Sequence, residues 1–385
     1  MIPINKIRIL FAAGGTGGHI YPCIALAQTI RDSYPNAEIL FIGGDRAEIE
    51  KIPAAGFNIK SISVHGVVNK LSLKAFPQKI KSLYELVSGK PVWQSMTILR
   101  DFKPNVVIGA SGYVCGPVLL AAKMLGIPGI LLEQNEVLGL TSKIVASLHL
   151  ISAAVVISDK SGDFFKNNKI KTINAGNPVR PAILKTTREM GYSVLKLDEN
   201  RKTLAIVGGS LGSLAINNAA IYAVRELGKY TWFRDGWQVV HITGTDRGGG
   251  LSQIDADHLG IKYYHFKYID AIENLLAVSD MIVTRAGGTF LAEISARGIP
   301  MIIIPWAGAA GDHQTKNAQI FANNGAAIII TDDELNGESL HLQLSNLCQS
   351  EKLLMNMGSE SRKLGRPESS KDLMDIIINL ALKGK

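Results

Sequence analysis

The sequence predicts an α/β protein built of two Rossmann-like halves, each a parallel sheet covered by helices. Three observations carry that prediction. Short apolar, β-branched runs alternate with longer helical patterns along almost all of the 385 residues. Continuous Val/Ile/Leu runs between helical segments mark strands buried on both faces. A strand also runs straight into glycines twice, about 190 residues apart. The first copy is Ile7–Ala13 followed by Gly14-Gly15-Thr16-Gly17-Gly18-His19, and the second is Leu204–Val207 followed by Gly208-Gly209-Ser210-Leu211-Gly212-Ser213. Finally, the turn-rich stretch Asn174–Pro181 and eight charges within positions 185–202 mark a boundary between the halves.

Strands are expected at 6–13, 38–43, 59–64, 105–110, 129–133, 153–158 and 171–175 in the first half. In the second half they are expected at 203–208, 238–243, 262–266, 280–284, 301–305 and 326–330. Each is a short run rich in Val, Ile, Leu or aromatic residues, bounded by turn residues or charges. Residues 369–384 carry Leu373, Met374, Ile376, Ile377, Leu380 and Leu382 at helical spacing with no strand after them, so a final amphipathic helix is expected to pack back on the first domain. Glycine between strand and helix lets a ligand approach the backbone, and the helix N-terminus adds roughly half a positive charge. Two such loops suggest two halves facing one phosphate-bearing ligand.

Composition is that of an ordinary globular protein, 46% hydrophobic and 19% charged. A net charge of +8 favours anionic partners without choosing among nucleic acid, anionic lipid and phosphorylated small molecules. Cys23, Cys115 and Cys348 have no metal-like spacing and suit a reducing compartment. The apolar run 7–13 is too short for a signal segment, and glycines with Pro117 break the uncharged stretch from Pro104 to Ala122. These features point to a soluble cytoplasmic protein.

The first loop does not spell G-x-G-x-x-G, because Ile20 or Thr16 stands where glycine is needed, and no G-x-x-x-x-G-K-[ST] is present. His19 stands at the mouth of that loop, at the start of a helix. Its ring can titrate near neutral pH and serve as a general base, or it can merely cap or pack. Gly109-Ala-Ser-Gly112-Tyr-Val-Cys-Gly116-Pro117 follows another strand, and Glu133-Gln134-Asn135 ends the next one. Ligands of open parallel sheets bind beyond the carboxyl ends of strands, so these segments converge on one edge, although each alone can be a tight turn. In the second half, Thr284-Arg-Ala-Gly-Gly-Thr-Phe-Leu-Ala-Glu293 reads as strand end, glycine turn and helix start. Glu293 is placed to accept two ribose hydroxyls or to complement a helix dipole. Asp312-His313-Gln314 and Asn317 are amide-rich, as sugar hydroxyls require. Asp255-Ala256-Asp257 spells D-x-D but lacks a preceding strand, which argues against metal binding. Lys70, Lys74, Lys79, Lys81, Lys90, Arg100 and Lys103, among Leu71, Leu73, Phe76, Ile80 and Leu83, form either a solvated face or a surface for anionic membrane.

In order and spacing, GGTGGH, SGYVCGP, EQN…GLT, GNPVR, GGSLGS, RAGGTFLAE and DHQTKNA resemble the MurG family of bacterial peptidoglycan glycosyltransferases, from about Arg8 to the C-terminal helix. The resemblance implies a GT-B fold with the active site between two Rossmann-like domains. It also implies inverting, metal-independent chemistry without a cofactor. Expected domains are 1–178, joined by the helix 366–385, for acceptor and membrane, and 179–365 for the UDP-sugar. The implied reaction moves N-acetylglucosamine from UDP-N-acetylglucosamine to lipid I, making lipid II, at the cytoplasmic face of the bacterial cell membrane. Partners are those two substrates and an anionic membrane surface, with no nucleic acid.

Carried over by resemblance, His19 is the base for the acceptor hydroxyl. Ile269 would meet the uracil through its backbone, Arg180 the nucleotide, Ser210 the phosphates and Glu293 the ribose. Gly288, Thr289, Phe290, Leu291 and Ala292 would run along the diphosphate, with Gln314 on the sugar. Thr16, Gly17, Gly18 and Asn135 would complete the donor site, and Gly112, Tyr113, Cys115 and Gly116 the acceptor site. Phe290, Leu211, Cys115 and Ser142 stand where the family generally has Thr or Ser, Gln, Ser and Asn. Rival readings are another GT-B enzyme on UDP-sugars (a glycolipid synthase or a UDP-N-acetylglucosamine 2-epimerase), an NAD-dependent oxidoreductase, and a non-catalytic nucleotide-sugar or membrane-binding module.

Overall fold

A computed structural model describes residues 7–15, 17–64, 89–209, 211–245 and 260–383. The chain divides into two compact units, Met1–Pro181 with Arg366–Lys385, and Ala182–Gly365.

The first unit runs β1 Arg8–Ala12, α1 Gly17–Ser33, β2 Glu38–Gly43, α2 Glu48–Ala54, β3 Asn58–Ser61, α3 Lys90–Phe102, β4 Val106–Ala110, α4 Cys115–Met124, β5 Gly129–Leu132, α5 Leu140–Ser147, β6 Ala153–Val156, α6 Asp159–Asn167 and β7 Lys171–Asn174. Its seven strands are all parallel, in the order β3-β2-β1-β4-β5-β6-β7. Alternate residues of one strand face opposite layers. Ile9 and Phe11 of β1 join Ile20, Ile24, Phe41 and Ile108 on one side of the sheet. Leu10 and Ala12 join Ile42, Val107, Val118 and Leu131 on the other. Both layers are built of buried apolar side chains, which is why the strands read as unbroken apolar runs.

The second unit begins with α7 Pro181–Lys185, which straddles the division, and α8 Arg188–Leu195. It continues through β8 Lys202–Val207, α9 Leu214–Leu227, α10 Thr231–Gly236, β9 Trp237–Ile242, β10 Lys262–Phe266, α11 Ile272–Val278, β11 Ser279–Thr284 and α12 Gly288–Arg297. Then come β12 Met301–Ile303, α13 His313–Ala322, β13 Ala327–Ile329, α14 Gly337–Gln349 and α15 Glu351–Leu364. Its six strands are parallel in the order β10-β9-β8-β11-β12-β13. The last helix, α16 Ser369–Lys383, returns to the first unit, where Leu373, Ile377, Ile378 and Ala381 enter the core layer of Phe11.

Every strand segment expected from sequence is present, and the differences are at the ends. The run 301–305 pairs only over Met301–Ile303, because Pro305 has no N–H to continue a ladder. No described helix is long and apolar enough to cross a membrane.

Candidate active site

In each sheet the strand order reverses once, and an open parallel sheet binds ligands at that switch point, beyond the carboxyl ends. In the first unit the switch lies between β1 and β4, so the loops meeting there are Ala13–Gly15 and Ser111–Val114. In the second it lies between β8 and β11, where Gly208-Gly209 and Arg285–Gly287 emerge. Both glycine motifs therefore stand where their own sheet can hold a ligand.

Approach is tight at the first switch point. A Cβ on Gly112 would lie 2.9 Å from the Gly14 carbonyl oxygen, so the two loops can touch only because position 112 has no side chain. Glu48, the first residue of α2 and fully buried, holds the assembly together. Its carboxylate accepts the N–H of Gly15 at 3.1 Å, the N–H of Gly44 at 2.8 Å and the Tyr113 hydroxyl at 3.3 Å. Burial first, and then the Glu48 charge, push the Tyr113 phenol well above its usual range, so it stays a donor. The Arg46 guanidinium covers the Tyr113 ring at 5.1 Å.

His19 is the third residue of α1, half-buried, in a first turn without an acidic side chain. Its Nδ1 lies 3.2 Å from Gln134 Oε1. Gln134 belongs to the loop after β5, and the Ser111 hydroxyl donates to the same carbonyl at 2.6 Å. Beside it Glu133 is buried, which raises its carboxyl pKa against the opposing pull of Ser142, Asn135 and Ser111. Ser142 donates to Glu133 at 2.5 Å, and the Asn135 N–H donates at 3.2 Å. Arg180 stacks its guanidinium on Tyr21, in the second turn of α1, at 4.6 Å.

Gly112, Tyr113 and Gly116 sit at the start of α4, but Cys115 differs from them. Its side chain is fully buried in the core and its N–H is bonded to the Gly112 carbonyl. The thiol therefore packs inward, between the Gly109 backbone and Leu119. Burial drives its pKa up, and the thiol stays protonated.

In the second unit, Gly212 (φ +80°) crosses the end of β9 so closely that a Cβ would lie 2.0 Å from the Thr243 carbonyl oxygen. Beneath this crossing runs a buried polar network. Asn217 donates to that carbonyl at 3.0 Å and accepts His241 Nε2 at 3.1 Å, and His241 Nδ1 lies 2.7 Å from the Tyr263 hydroxyl. Helix α12 starts from an N-cap Gly287 with no side-chain cap and no acid in its first turn, so its positive end is uncompensated by side chains. The Leu291 N–H already bonds the Gly287 carbonyl at 3.0 Å, and its side chain is buried. Glu293 is buried in the second turn of α12, beyond the reach of simple dipole compensation.

Arg285 ties four loop ends together. It donates to Ser213 at 2.8 Å, to the Ile304 and Pro305 carbonyls, and to Asp332 at 2.5 Å. Gln314 Oε1 accepts the Ala286 and Trp306 N–H groups at 3.2 and 2.9 Å. Its carbonyl is thus committed to shaping the loops, leaving its amide N–H groups for other partners. Ile269 lies half-buried in the loop after β10. Thr16, Ser210, Asp255, Asp257, Lys70, Lys74, Lys79 and Lys81 lie outside the described residues. Among the described residues, no group of three or more His, Cys, Asp or Glu side chains could hold a metal ion.

Two domain descriptions match the chain. The Glycosyltransferase family 28 N-terminal domain covers residues 9–149, and the Glycosyltransferase family 28 C-terminal domain covers residues 203–374. The UDP-N-acetylglucosamine–N-acetylmuramyl-(pentapeptide) pyrophosphoryl-undecaprenol N-acetylglucosamine transferase of Desulforamulus reducens is 35% identical over 378 residues, 96% of this chain and 98% of that one. The protein of the same name from Leuconostoc citreum is 36% identical over 381 residues, 97% of this chain and 98% of the relative. The chain belongs to this family of glycosyltransferases. Its fold is shared with the crystal structure of Acinetobacter baumannii MurG, at a TM-score of 0.68 and 23% identity, covering 97% and 99% of the two chains.

Several contacts in this family 28 glycosyltransferase have no signature in the sequence. Nothing local in the sequence marks Glu48, whose three donors come from residues 15, 44 and 113. Arg285 lay inside a recognised motif, but its partners come from three other loops. Ser142, a departure from the family pattern, proves to be the shortest contact of the buried Glu133.

Proposed function

We propose that the chain transfers N-acetylglucosamine from UDP-N-acetylglucosamine to the muramyl sugar of lipid I, giving lipid II in peptidoglycan synthesis. The full-length identity to transferases of that name carries the reading. The glycine loops at both switch points support it, since open parallel sheets bind ligands beyond the carboxyl ends of their strands at that place.

In the proposed mechanism His19 Nε2 takes the proton of the acceptor hydroxyl. The hydroxyl oxygen then attacks the anomeric carbon, the bond from that carbon to the diphosphate breaks, and UDP leaves with the electron pair. The configuration inverts. The charge developing on UDP is met by the N-terminus of α12 and by Ser210, without a metal. We assign Ile269 to the uracil, Glu293 to the ribose, and Gly288, Thr289 and Phe290 to the diphosphate. Leu291 and Ala292 would add packing there, and Gln314 would meet the sugar through its amide nitrogen. Thr16, Gly17, Gly18, Asn135 and Arg180 are the first unit's proposed donor contacts. Gly112, Tyr113, Cys115 and Gly116 form its proposed acceptor loop.

The acceptor is lipid-linked, so the enzyme is proposed to work as a peripheral protein at the cytoplasmic face of the membrane. An exposed apolar stripe supports this. Leu140 and Ile144 of α5 and Leu148 at its C-cap recur every four residues, at 73%, 46% and 59% exposure. Incubation with labelled UDP-N-acetylglucosamine and a lipid I analogue tests the function directly. Formation of a labelled disaccharide-lipid is expected. Release of UDP without transfer, or formation of a 2-epimer, would overturn the reading.

A further inference from the structure

Gln134 is an anomaly in a well-satisfied interior. It is 2% exposed, and its side-chain nitrogen is buried without a hydrogen-bond partner among the described residues. Buried amides are rarely left half-satisfied unless something else is gained. Its carbonyl oxygen, by contrast, lies between two groups, His19 Nδ1 at 3.2 Å and Ser111 Oγ at 2.6 Å. An amide carbonyl only accepts, so in this arrangement Nδ1 carries the imidazole proton and the lone pair resides on Nε2. With the amide turned over, its NH2 group would face Nδ1, the proton would move to Nε2, and that nitrogen could no longer accept one. Amide orientation and imidazole tautomer are therefore one two-state variable.

The geometry points to Gln134 as the positioning residue that selects the base-competent tautomer of His19. This rests on the proposed role of His19 as the general base. Three features around Gln134 favour the orientation seen. The Ser111 hydroxyl has one hydrogen to give, and Glu133 Oε1 lies 3.3 Å from its oxygen. Gln134 Oε1, at 2.6 Å, is much the closer acceptor for that hydrogen, while Glu133 Oε1 is already served by the Asn135 N–H at 3.2 Å. The backbone of Gln134 is fixed as well. Asn177 donates to its carbonyl at 3.0 Å, and Asn177's own carbonyl accepts the Ser369 hydroxyl of α16 at 2.7 Å. The pin therefore joins segments at 111, 134, 177 and 369 to the first turn of α1.

Titratable and charged groups near His19 include Glu133 through Ser111, Tyr113 against Gly15, Glu48 on the Gly15 N–H, and Arg180 on Tyr21.

The test combines spectroscopy with kinetics on the full chain. In protein carrying 15N-labelled histidine, with the His19 signals assigned by their loss in His19→Ala, Nδ1 should be pyrrole-like and Nε2 pyridine-like near neutral pH. Gln134→Met should lower kcat by roughly 10–10²-fold, part of what a general base contributes, and leave KM for UDP-N-acetylglucosamine within about threefold. Gln134→Glu keeps an acceptor at Nδ1 and adds a charge, so the acid limb of the kcat profile should move up by about one pH unit or more. In the His19→Ala background Gln134→Met should cost nothing further. An Nε2–H tautomer in the parent overturns the proposal. So does an unmoved acid limb in a folded Gln134→Glu protein, or a Gln134→Met loss that persists in full without His19. Near-parental turnover of His19→Ala would instead remove His19 as the base, and the tautomer measurement separates that failure from this one.

Discussion

Glu48 Oε2 accepts the backbone N–H of Gly15 at 3.1 Å, fixing the first glycine loop from a residue 33 positions away. The loop's shape is thus held by a buried carboxylate, with backbone N–H groups on two sides and a phenol on the third. A charged acceptor serving three donors at once cannot be replaced by an amide, whose NH2 would face another N–H.

Replacing Glu48 tests that dependence. Glu48→Ala should destabilise the protein by about 1–3 kcal/mol, since it strips hydrogen bonds to a charged group and leaves buried donors unpaired. Glu48→Gln should recover only part of this. Urea unfolding of the three proteins, read by circular dichroism, measures it, and an unchanged midpoint for Glu48→Ala would remove its structural role.

His19 carries the chemical prediction. His19→Ala should lower turnover by about 10²–10⁴-fold while UDP affinity stays within about threefold. In the parent the rate should rise with pH through the histidine's titration, and that limb should vanish in the variant. A loss explained wholly by weaker donor binding would make His19 a binding residue.

Glu293 is proposed to hold the ribose. Glu293→Ala should weaken UDP and UDP-N-acetylglucosamine together, by about 1–3 kcal/mol if a charged hydrogen bond is lost. Calorimetric titration with UDP reads this directly. Equal affinity in parent and folded variant would return Glu293 to the interior of its own helix.

His241 ties stability to pH. Burial, reinforced by His265, lowers its pKa to about 3 from an ordinary 6.5, so the folded protein keeps it neutral. The unfolded chain binds that proton more readily, so the stabilisation is complete above pH 6.5 and declines as pH falls from there toward 3. The slope approaches about 1.4 kcal/mol per pH unit. His241→Gln, which cannot titrate, should show a shallower decline between pH 6.5 and 4 in parallel denaturant titrations. Parallel curves for the two proteins would assign the acid sensitivity elsewhere.

The membrane surface gives the last test. Reversing Lys74, Lys79 and Lys81 should weaken binding to anionic vesicles by on the order of 1 kcal/mol per charge, while a soluble acceptor is still processed. Sedimentation with vesicles of graded anionic lipid content measures the change. Unchanged binding would leave the apolar stripe of α5 as the surface to mutate next.

What the sequence determined by itself was the architecture and the addresses of the motifs. Strands such as Ile7–Ala13 and Leu204–Val207 are legible because a parallel strand covered on both faces must be apolar throughout, and glycine clusters announce where backbone meets ligand. Motif order also pointed to the family. Tertiary structure decided which side chains meet. Glu48 joins Gly15, Arg285 joins Asp332, and Gln134 joins His19 across separations of 33, 47 and 115 residues. Such pairings have no period or local signature, because they depend on strand order at the switch points. The inward turn of Cys115 was likewise settled by packing, since the first residue of a helix can face ligand or core. There the close approach of the Gly109 backbone and Leu119 draws it into the core.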